Sequence, residues 1–263
     1  PIEKMVVTNA CRNCVAHNCL NACPFDAIEI VNQRAYINKD RCKECGLCAK
    51  ACQFGAILEI ERPCTRACAV GALRPGENSI SQIDHEQCVE CGACIEACPF
   101  GAIAERSEIL PVINLLKSRE CSTKALVAPS IAGQFGPMVD WPHLVAGLEK
   151  IGFSEVIPVA WGADQVGKEE KVELKEKKEE GAMLLNSCCP SFKNLVKKKY
   201  PELAGHLAQT KSPMLVTAEL VWRMEPEAKM VFIGPCIAKK GEARREGKEL
   251  IEAVLTFEEL AAI

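Results

Sequence analysis

The sequence predicts an α+β protein in which two cysteine-rich units in tandem precede an α/β domain with a mainly parallel sheet. Three observations support this prediction. Fourteen of the 18 cysteines lie before residue 100. The cysteine groups recur at an offset of about 45 residues, which indicates an internal repeat. After residue 123, short apolar runs alternate with helical patterns, as in strands joined by crossover helices.

The composition excludes several classes of protein. At 263 residues the chain is long enough for two domains and a sizeable core. A formal net charge of -3 gives no reason to expect nucleic acid as a partner. No apolar run approaches the roughly 20 residues of a membrane helix, so no membrane insertion is expected. We expect no signal peptide, and the crowded cysteines favour metal ligation in a reducing cytoplasm over a disulfide framework.

The cysteines before residue 100 form four groups. Residues 11–23 follow C-x2-C-x4-C-x3-C, residues 42–52 and 88–98 follow C-x2-C-x2-C-x3-C, and Cys64 and Cys68 form a bare C-x3-C pair. Such spacing lets one loop wrap three corners of an iron–sulfur cubane while its amides point at the sulfurs. Zinc suits a single CxxC pair, but three cysteines within seven residues and a fourth soon after favour [4Fe-4S] clusters.

The repeats make the assignment more specific. The repeated stretches are residues 42–57 with 88–103 and residues 19–28 with 64–73. The cysteine-rich part therefore resembles two bacterial ferredoxin units in tandem, with predicted boundaries at 1–58 and 59–106. In bacterial ferredoxins the first three cysteines of a run hold one cluster, and the fourth ligates the neighbouring cluster.

Crossed ligation of this kind predicts three [4Fe-4S] clusters. The first set of ligands is Cys11, Cys14, Cys19 and Cys52. The second set is Cys42, Cys45, Cys48 and Cys23. The third set is Cys88, Cys91, Cys94 and Cys68.

A fourth cluster site is predicted to be vestigial. Cys64 and Cys98 remain unassigned, and the positions that match the first two cysteines of the first unit are Ala56 and Glu59. Cys121 completes this site only if a ligand other than cysteine joins it.

Several clusters in a row indicate the transfer of single electrons over distance. Each of the three full cysteine runs is followed by a phenylalanine, and we expect these residues, Phe25, Phe54 and Phe100, to shield the clusters from water.

Residues 107–122 are predicted to form a linker helix, and residues 123–263 an α/β domain. The predicted strands are 124–128, 155–160, 182–185, 229–233 and 253–256, with helices between them. Chemically distinctive residues follow three of these strands. They are Pro129 and Ser130, Cys188 and Cys189, and Cys236. Because open α/β sheets bind ligands at the carboxyl ends of their strands, we expect a site there.

Two motifs in this domain resemble signatures of the [FeFe]-hydrogenase catalytic domain. Residues 186–192, NSCCPSF, resemble the first signature, TSCCPxW, and residues 235–242, PCIAKKGE, resemble the second, PCxxKxxE. The resemblance implies interconversion of H2 with protons and electrons, the electrons being exchanged with ferredoxin or another redox protein. It also implies an H-cluster in the full-length protein: a [4Fe-4S] cubane joined by a cysteine to a two-iron site that carries CO and CN.

The resemblance implies a role for each matching residue. Cys189 and Cys236 would be ligands of the cubane, and Cys188 would be the thiol that exchanges protons with the two-iron site. The positions that match the proton path to the surface are Glu170, Ser212 and Glu173. The positions that match contacts to the cyanides are Lys239, Pro129 and Ser130. The two glutamates also lie in a charged run, which is typical of a solvated helix face.

The sequence departs from the family pattern in ways that bear on function. Asn186 replaces threonine, Phe192 replaces tryptophan, and Gly234 stands where the family usually has methionine. The third motif, which supplies two further cysteines, is absent before Ile263. We therefore expect either part of a longer hydrogenase or a degenerate relative, such as a non-catalytic redox sensor or a polyferredoxin-type electron-transfer subunit.

Overall fold

A computed structural model describes residues 4–76, 80–119 and 121–263. The chain divides into two compact units, Pro1–Asp84 and His85–Ile263. This division differs from the predicted second ferredoxin unit, 59–106, because residues 59–84 group with the first unit and residues 85–106 with the second. Among the described residues, no helix is both long and apolar enough to cross a bilayer.

The first unit consists of short hairpin-like strand pairs and single helical turns. Its strands are β1 (Met5–Val7), β2 (Ile28–Val31), β3 (Arg34–Ile37), β4 (Ile57–Glu59), β5 (Leu73–Pro75) and β6 (Ser81–Ile83). Its helices are α1 (Asn18–Asn21), α2 (Leu47–Ala51) and α3 (Pro63–Ala67). Strand β1 pairs with β4, β2 with β3 and β5 with β6, each antiparallel. Helices α1 and α2 contain Cys19 and Cys48, the third cysteines of their runs. Helix α3 contains Cys64, the first cysteine of the bare pair.

The second unit contains a four-stranded parallel sheet, which confirms the predicted sheet. Its strands are β7 (Thr123–Val127), β8 (Glu155–Pro158), β9 (Lys229–Ile233) and β10 (Ala253–Leu255), in the order β10-β9-β7-β8. Every neighbouring pair is parallel, so the carboxyl ends of the strands meet at one edge. Strand β7 is buried along its whole length, as expected of a central strand in a parallel sheet.

The predicted strand 182–185 is wrong. Leu185 forms a single bridge to Leu207 outside the four-stranded sheet, and the Met183 side chain is 56% exposed. The preceding helix ends at Glu179, and Gly181 makes a left-handed turn with φ 68°. The short apolar run therefore has no neighbouring strand in the sheet against which to pack.

The second unit also contains helices, the first of which lies within the cysteine run 88–98, while the others cover the sheet or connect its strands. They are α4 (Ala93–Glu96), α5 (Ile109–Ser118), α6 (Trp141–Ile151), α7 (Ala160–Glu179), α8 (Pro190–Lys199), α9 (Pro213–Met224), α10 (Ala238–Glu246) and α11 (Phe257–Ala261). The predicted linker helix is thus present as α5, while Glu120 lies outside the described residues. The core places Leu126 and Ile233 of the sheet against Leu148 of α6 and Leu215 of α9.

A buried ion-pair network fastens residues 105–108 to the end of the sheet. Lys240 is 2% exposed, and its Nζ lies 2.7 Å from Glu259 and 3.2 Å from Glu105. Glu259 also completes a capping box with Thr256 at the start of α11. Burial opposes ionisation of Glu259, but the hydrogen bonds from Lys240 and the Thr256 amide outweigh it and lower the pKa of Glu259. The network explains why the segment after the third full cysteine run belongs to the second unit.

The packing of α7 on α9 leaves no room for a side chain at Gly162. A Cβ there would lie 2.5 Å from the Pro213 carbonyl oxygen and would also clash with the Thr217 hydroxyl. Gly167 lies on the same helix and would meet no atom within 4 Å. We expect Gly162→Ala to destabilise the second unit by about 1–3 kcal/mol through overpacking.

The matched change Gly167→Ala should instead stabilise it by up to about 1 kcal/mol, because alanine favours a helix. Denaturant unfolding followed by circular dichroism measures the free energy of unfolding of both variants. Equal effects of the two substitutions would contradict the close packing of the helices.

Candidate metal centres

The cysteines of the first unit gather in its apolar core. Cys19 and Cys48 are buried among Met5, Ile28 and Ile37. Four further cysteines pack against this cluster: Cys11, Cys23, Cys42 and Cys52. A small cavity in the same core is lined by Cys23, Cys42, Cys45 and Cys48, which are the four thiols of the second predicted ligand set. Four thiols around one apolar cavity are a donor set that suits a cubane of soft iron centres.

The electrostatic environment shows which thiols are neighbours. Burial raises the pKa of Cys19, and the charges of Cys52 and Cys14 raise it further. Burial likewise raises the pKa of Cys48, with the charges of Cys42 and Cys23 acting in the same direction. Within the first unit, the Cys52 thiol is therefore a neighbour of Cys19, and the Cys23 thiol is a neighbour of Cys48. Among the residues that the structure describes, no three His, Cys, Asp or Glu side chains converge as ligands of a single metal ion.

The last cysteine of each group accepts a backbone hydrogen bond of the same kind. The amide four residues later donates to Sγ at Cys23 (3.4 Å), Cys52 (3.4 Å), Cys68 (3.2 Å) and Cys98 (3.3 Å). Amide hydrogen bonds of this kind stabilise a thiolate and tune the potential of a cluster. At Cys98, amides led by those of Phe100 and Ala102 lower the pKa of the thiol.

The third predicted ligand set draws on both units. Cys68 belongs to the first unit, and Cys88, Cys91 and Cys94 belong to the second. This set, like the vestigial pair Cys64 and Cys98, stays a prediction.

The prediction that phenylalanines shield the clusters is only partly correct. Phe25 lines the cavity of the first unit, although part of its ring is exposed. Phe54 is exposed, and Phe100 is 88% exposed. The residue after each ring has a positive φ, and the amide that follows it donates to the Sγ of the last cysteine in the run.

The second unit has its own group of thiols, at the turn that precedes α8. Pro190 is the first residue of that helix, where proline is well tolerated. The Asn186 side-chain oxygen accepts a hydrogen bond from the Cys188 amide at 2.9 Å. The buried Ser187 hydroxyl donates to the Thr210 carbonyl at 3.1 Å. These two bonds fix the backbone on which Cys188 and Cys189 lie.

The turn is joined to α10 by a partly buried lysine. Lys239 Nζ donates to the Cys188 carbonyl oxygen at 3.2 Å and to Glu242 Oε2 at 2.6 Å. The Ser212 hydroxyl donates to the same Glu242 oxygen at 3.0 Å. The side chain of Lys239 is 11% exposed and that of Glu242 is 3% exposed. We call Lys239, Glu242 and Ser212 the lysine–glutamate network.

The sequence prediction did not include Glu242, although the motif contains a signal for it. Glu242 follows Lys239 by three residues, and residues at i and i+3 lie on the same face of a helix. The glutamate supplies the charge that a buried ammonium requires.

Cys236 and the residues after β7 lie at the same edge of the sheet. Strands β7 and β9 are parallel neighbours, so Pro129 and Cys236 both follow strand ends at that edge. Pro129 and Ser130 are exposed and begin a single 3-10 turn. Gly234 leaves little space for a larger residue, because a Cβ would lie 2.6 Å from the Phe232 ring.

The environment of Cys188 favours the protonated thiol. Burial raises the pKa of Cys188, and the carboxylate of Glu170 and the neighbouring Cys189 raise it too. The Lys239 ammonium acts in the opposite direction but does not cancel the effect of burial. Cys188 is therefore a protonated thiol at neutral pH.

The structure does not join the predicted proton-path residues into one chain of hydrogen bonds. Glu170 accepts from the Asn186 side chain at 3.3 Å and from the Thr210 hydroxyl at 3.4 Å, so it lies beside the Cys188 turn. Glu173 accepts from the Gln209 amide at 3.1 Å. Ser212 donates to Glu242 and, within the described part of the chain, has no hydrogen bond to Glu170 or Glu173. A buried carboxylate is the stronger acceptor for this hydroxyl.

Two family models match the chain. The model described as the iron-only hydrogenase large subunit, C-terminal domain, matches residues 122–263. The model of a 4Fe-4S binding domain matches residues 35–58 and 81–104. The match to the hydrogenase domain covers more than half of the chain.

Individual relatives support the same relationship. Iron hydrogenase 1 of Clostridium pasteurianum is 30% identical over 263 residues, which is 90% of this chain and 45% of that protein. The cytosolic Fe-S cluster assembly factor NAR1 of Kluyveromyces lactis is 38% identical over 81 residues, which is 30% of this chain and 17% of that protein. A solved [FeFe]-hydrogenase superposes with a TM-score of 0.55 at 25% identity, over 60% of this chain and 46% of that one. The chain spans less than half the length of the curated relatives described here.

Alkylation of Cys188 tests the charges around this thiol. We expect Lys239→Met to raise the pKa of Cys188, because the substitution removes the cation that favours the thiolate. At a given pH, iodoacetamide should then alkylate Cys188 more slowly than in the unsubstituted chain. The pH at which the rate reaches half of its maximum should be higher. Glu170→Gln should have the opposite effect, because it removes an anion.

Peptide mass spectrometry in a Cys189→Ser background measures the modification of Cys188 alone. Lys197→Met is a matched control, since Lys197 is an exposed lysine on α8. An unchanged pH profile in the Lys239 variant would contradict the predicted proximity.

Proposed function

Because the chain belongs to the family of iron-only hydrogenase large subunits, we propose that it interconverts H2 with protons and electrons at a metal centre beside Cys188. The observation that carries this proposal is the contact of Lys239 with the Cys188 turn, since it unites the two hydrogenase motifs in one site. The match of the family model across the same residues supports it.

We propose that the cysteine-rich part carries the electrons. It would hold three [4Fe-4S] clusters on the ligand sets given above, and single electrons would pass to or from ferredoxin or another redox protein. Cysteines kept as thiols for iron suit a reducing cytoplasm. The cavity lined by Cys23, Cys42, Cys45 and Cys48 supports the cluster assigned to those residues.

Cys189 and Cys236 would bind the cubane of the H-cluster. Lys239, Pro129 and Ser130 would contact the cyanides of its two-iron site. When bound, the H-cluster supplies the metal at which H2 is cleaved and the electrons are accepted. Glu242 holds the Lys239 ammonium in the site. The Cys188 thiol stores a proton, because burial keeps its pKa high. Glu170 is the next acceptor toward the surface, connected to the turn through Asn186.

Iron content and H2 turnover test this proposal separately. Anaerobic reconstitution should give about 12 iron atoms per chain from the three clusters of the relay. Maturation of the full-length protein with a synthetic two-iron cofactor should produce infrared bands of bound CO and CN together with H2 evolution.

Cys188→Ala should lower H2 evolution by about 10²–10⁴-fold, because it removes a proton donor, and should leave the iron of the relay unchanged. H2 evolution at the rate of the unsubstituted protein would contradict the role of Cys188. About 16 iron atoms in the relay would show that a fourth cluster site is filled.

A second candidate function is a non-catalytic role in iron–sulfur biochemistry. The relative named as a cytosolic Fe-S cluster assembly factor favours this alternative, since it is similar in sequence to part of this chain but is not named as a hydrogenase. Asn186 and Phe192 also alter the first hydrogenase motif. This candidate predicts full cluster content without bands of CO and CN and without H2 evolution.

A further inference from the structure

The cysteine run 88–98 makes specific contacts with two helices of the α/β domain. Lys198, at the end of α8, donates to the His85 carbonyl oxygen at 3.0 Å and to the Cys88 carbonyl oxygen at 2.7 Å. Arg245, at the end of α10, forms a two-point ion pair with Glu90, with both N···O distances 2.9 Å. Planar guanidinium-to-carboxylate pairs of this kind fix orientation as well as distance.

The backbone of the run is shaped to fit α10. Glu90 has a left-handed φ of 62°, and its amide donates to Cys88 Sγ at 3.4 Å. A Cβ at Gly241 would clash with the Glu90 carboxylate, so a larger residue there would displace this side chain. A Cβ at Gly92 would lie 3.0 Å from Ile237, the residue after Cys236. The run therefore lies along α10 from Ile237 to Arg245.

The same two helices begin at the candidate thiol site. Helix α8 follows Cys189, and α10 begins two residues after Cys236. Lys198 lies nine residues beyond Cys189, and Arg245 lies nine residues beyond Cys236. At 1.5 Å per helical residue, nine residues span about 13 Å. Each helix thus connects a candidate metal thiol at one end with a cation that contacts the cysteine run at the other.

We propose that Lys198 and Arg245 are positioning residues of the electron relay. They fix the cluster bound by Cys88, Cys91 and Cys94 against the thiol site. Lys198 also raises the reduction potential of this cluster. The inference rests on the proposed assignment of a cluster to these cysteines. Reduction adds one electron and makes or breaks no bond. An ammonium next to a ligand residue stabilises the more negative reduced state, so it raises the potential.

Redox titration of the full chain tests the effect of Lys198. The chain is reconstituted anaerobically with iron and sulfide, reduced with dithionite at low ionic strength and followed by electron paramagnetic resonance. Loss of one signal in Cys94→Ser identifies the cluster on this run. Lys198→Met should shift that signal to lower potential, while Lys198→Arg, which keeps the charge, should leave it near its original value.

Lys197→Met is the matched control, because within the described residues its ammonium makes no hydrogen bond to the run. An equal shift in the Lys197 and Lys198 variants, or no shift in either, would overturn the tuning role. If Cys94→Ser removes no signal and no iron, the cluster assignment itself fails, and this inference fails with it.

The rate at which a chelator removes iron tests the positioning role. Arg245→Gln and Glu90→Gln should each speed the loss of the cluster identified above by several-fold, and the double variant should be no faster than either single one. Glu44→Gln is the matched control, because Glu44 occupies the same place in the first repeat and its amide also donates to a cysteine Sγ. Unchanged rates in both Glu90 and Arg245 variants, or an equal increase in the Glu44 variant, would overturn it.

Discussion

The buried contact between Lys239 and Glu242 determines the arrangement of the candidate thiol site. An ammonium with a side-chain exposure of 11% is stable only with an anionic partner, and Glu242 supplies it at 2.6 Å. With its charge satisfied, Lys239 also donates to the Cys188 carbonyl and so ties the first hydrogenase motif to the second. The Ser212 hydroxyl adds α9 to the same network. Three helices are therefore fixed around one buried carboxylate.

The sheet supplies the remaining geometry of the site. Parallel strands β7 and β9 place the residues that follow them at one edge, where Cys236 begins the turn into α10. The Cys188 turn lies outside the sheet, and its position depends on hydrogen bonds from Asn186, Ser187 and Lys239. This division explains how the site can join residues from a strand end with residues from an irregular segment.

Much of the architecture follows from local patterns, and the rest depends on distant partners. Apolar runs predict β7 and β9 within one residue of their observed bounds, because fully buried strands consist of continuous apolar residues. The run 182–185 looks similar in sequence, but it has no neighbouring strand in the sheet. Ser212 matches a proton-path position, yet its partner is Glu242, 30 residues later. Likewise, the unit to which residues 88–98 belong depends on Lys198 and Arg245, more than 100 residues away.

Lys239 brings the two hydrogenase motifs together in one site, and cross-linking of Cys189 to Cys236 tests this arrangement most directly. A short dithiol-reactive cross-linker is applied to a Cys188→Ser variant before iron is added, and linked peptides are identified by mass spectrometry. This arrangement predicts a cross-link between Cys189 and Cys236, because Lys239 connects the turns on which they lie. Modification of both thiols without a link between them would contradict it.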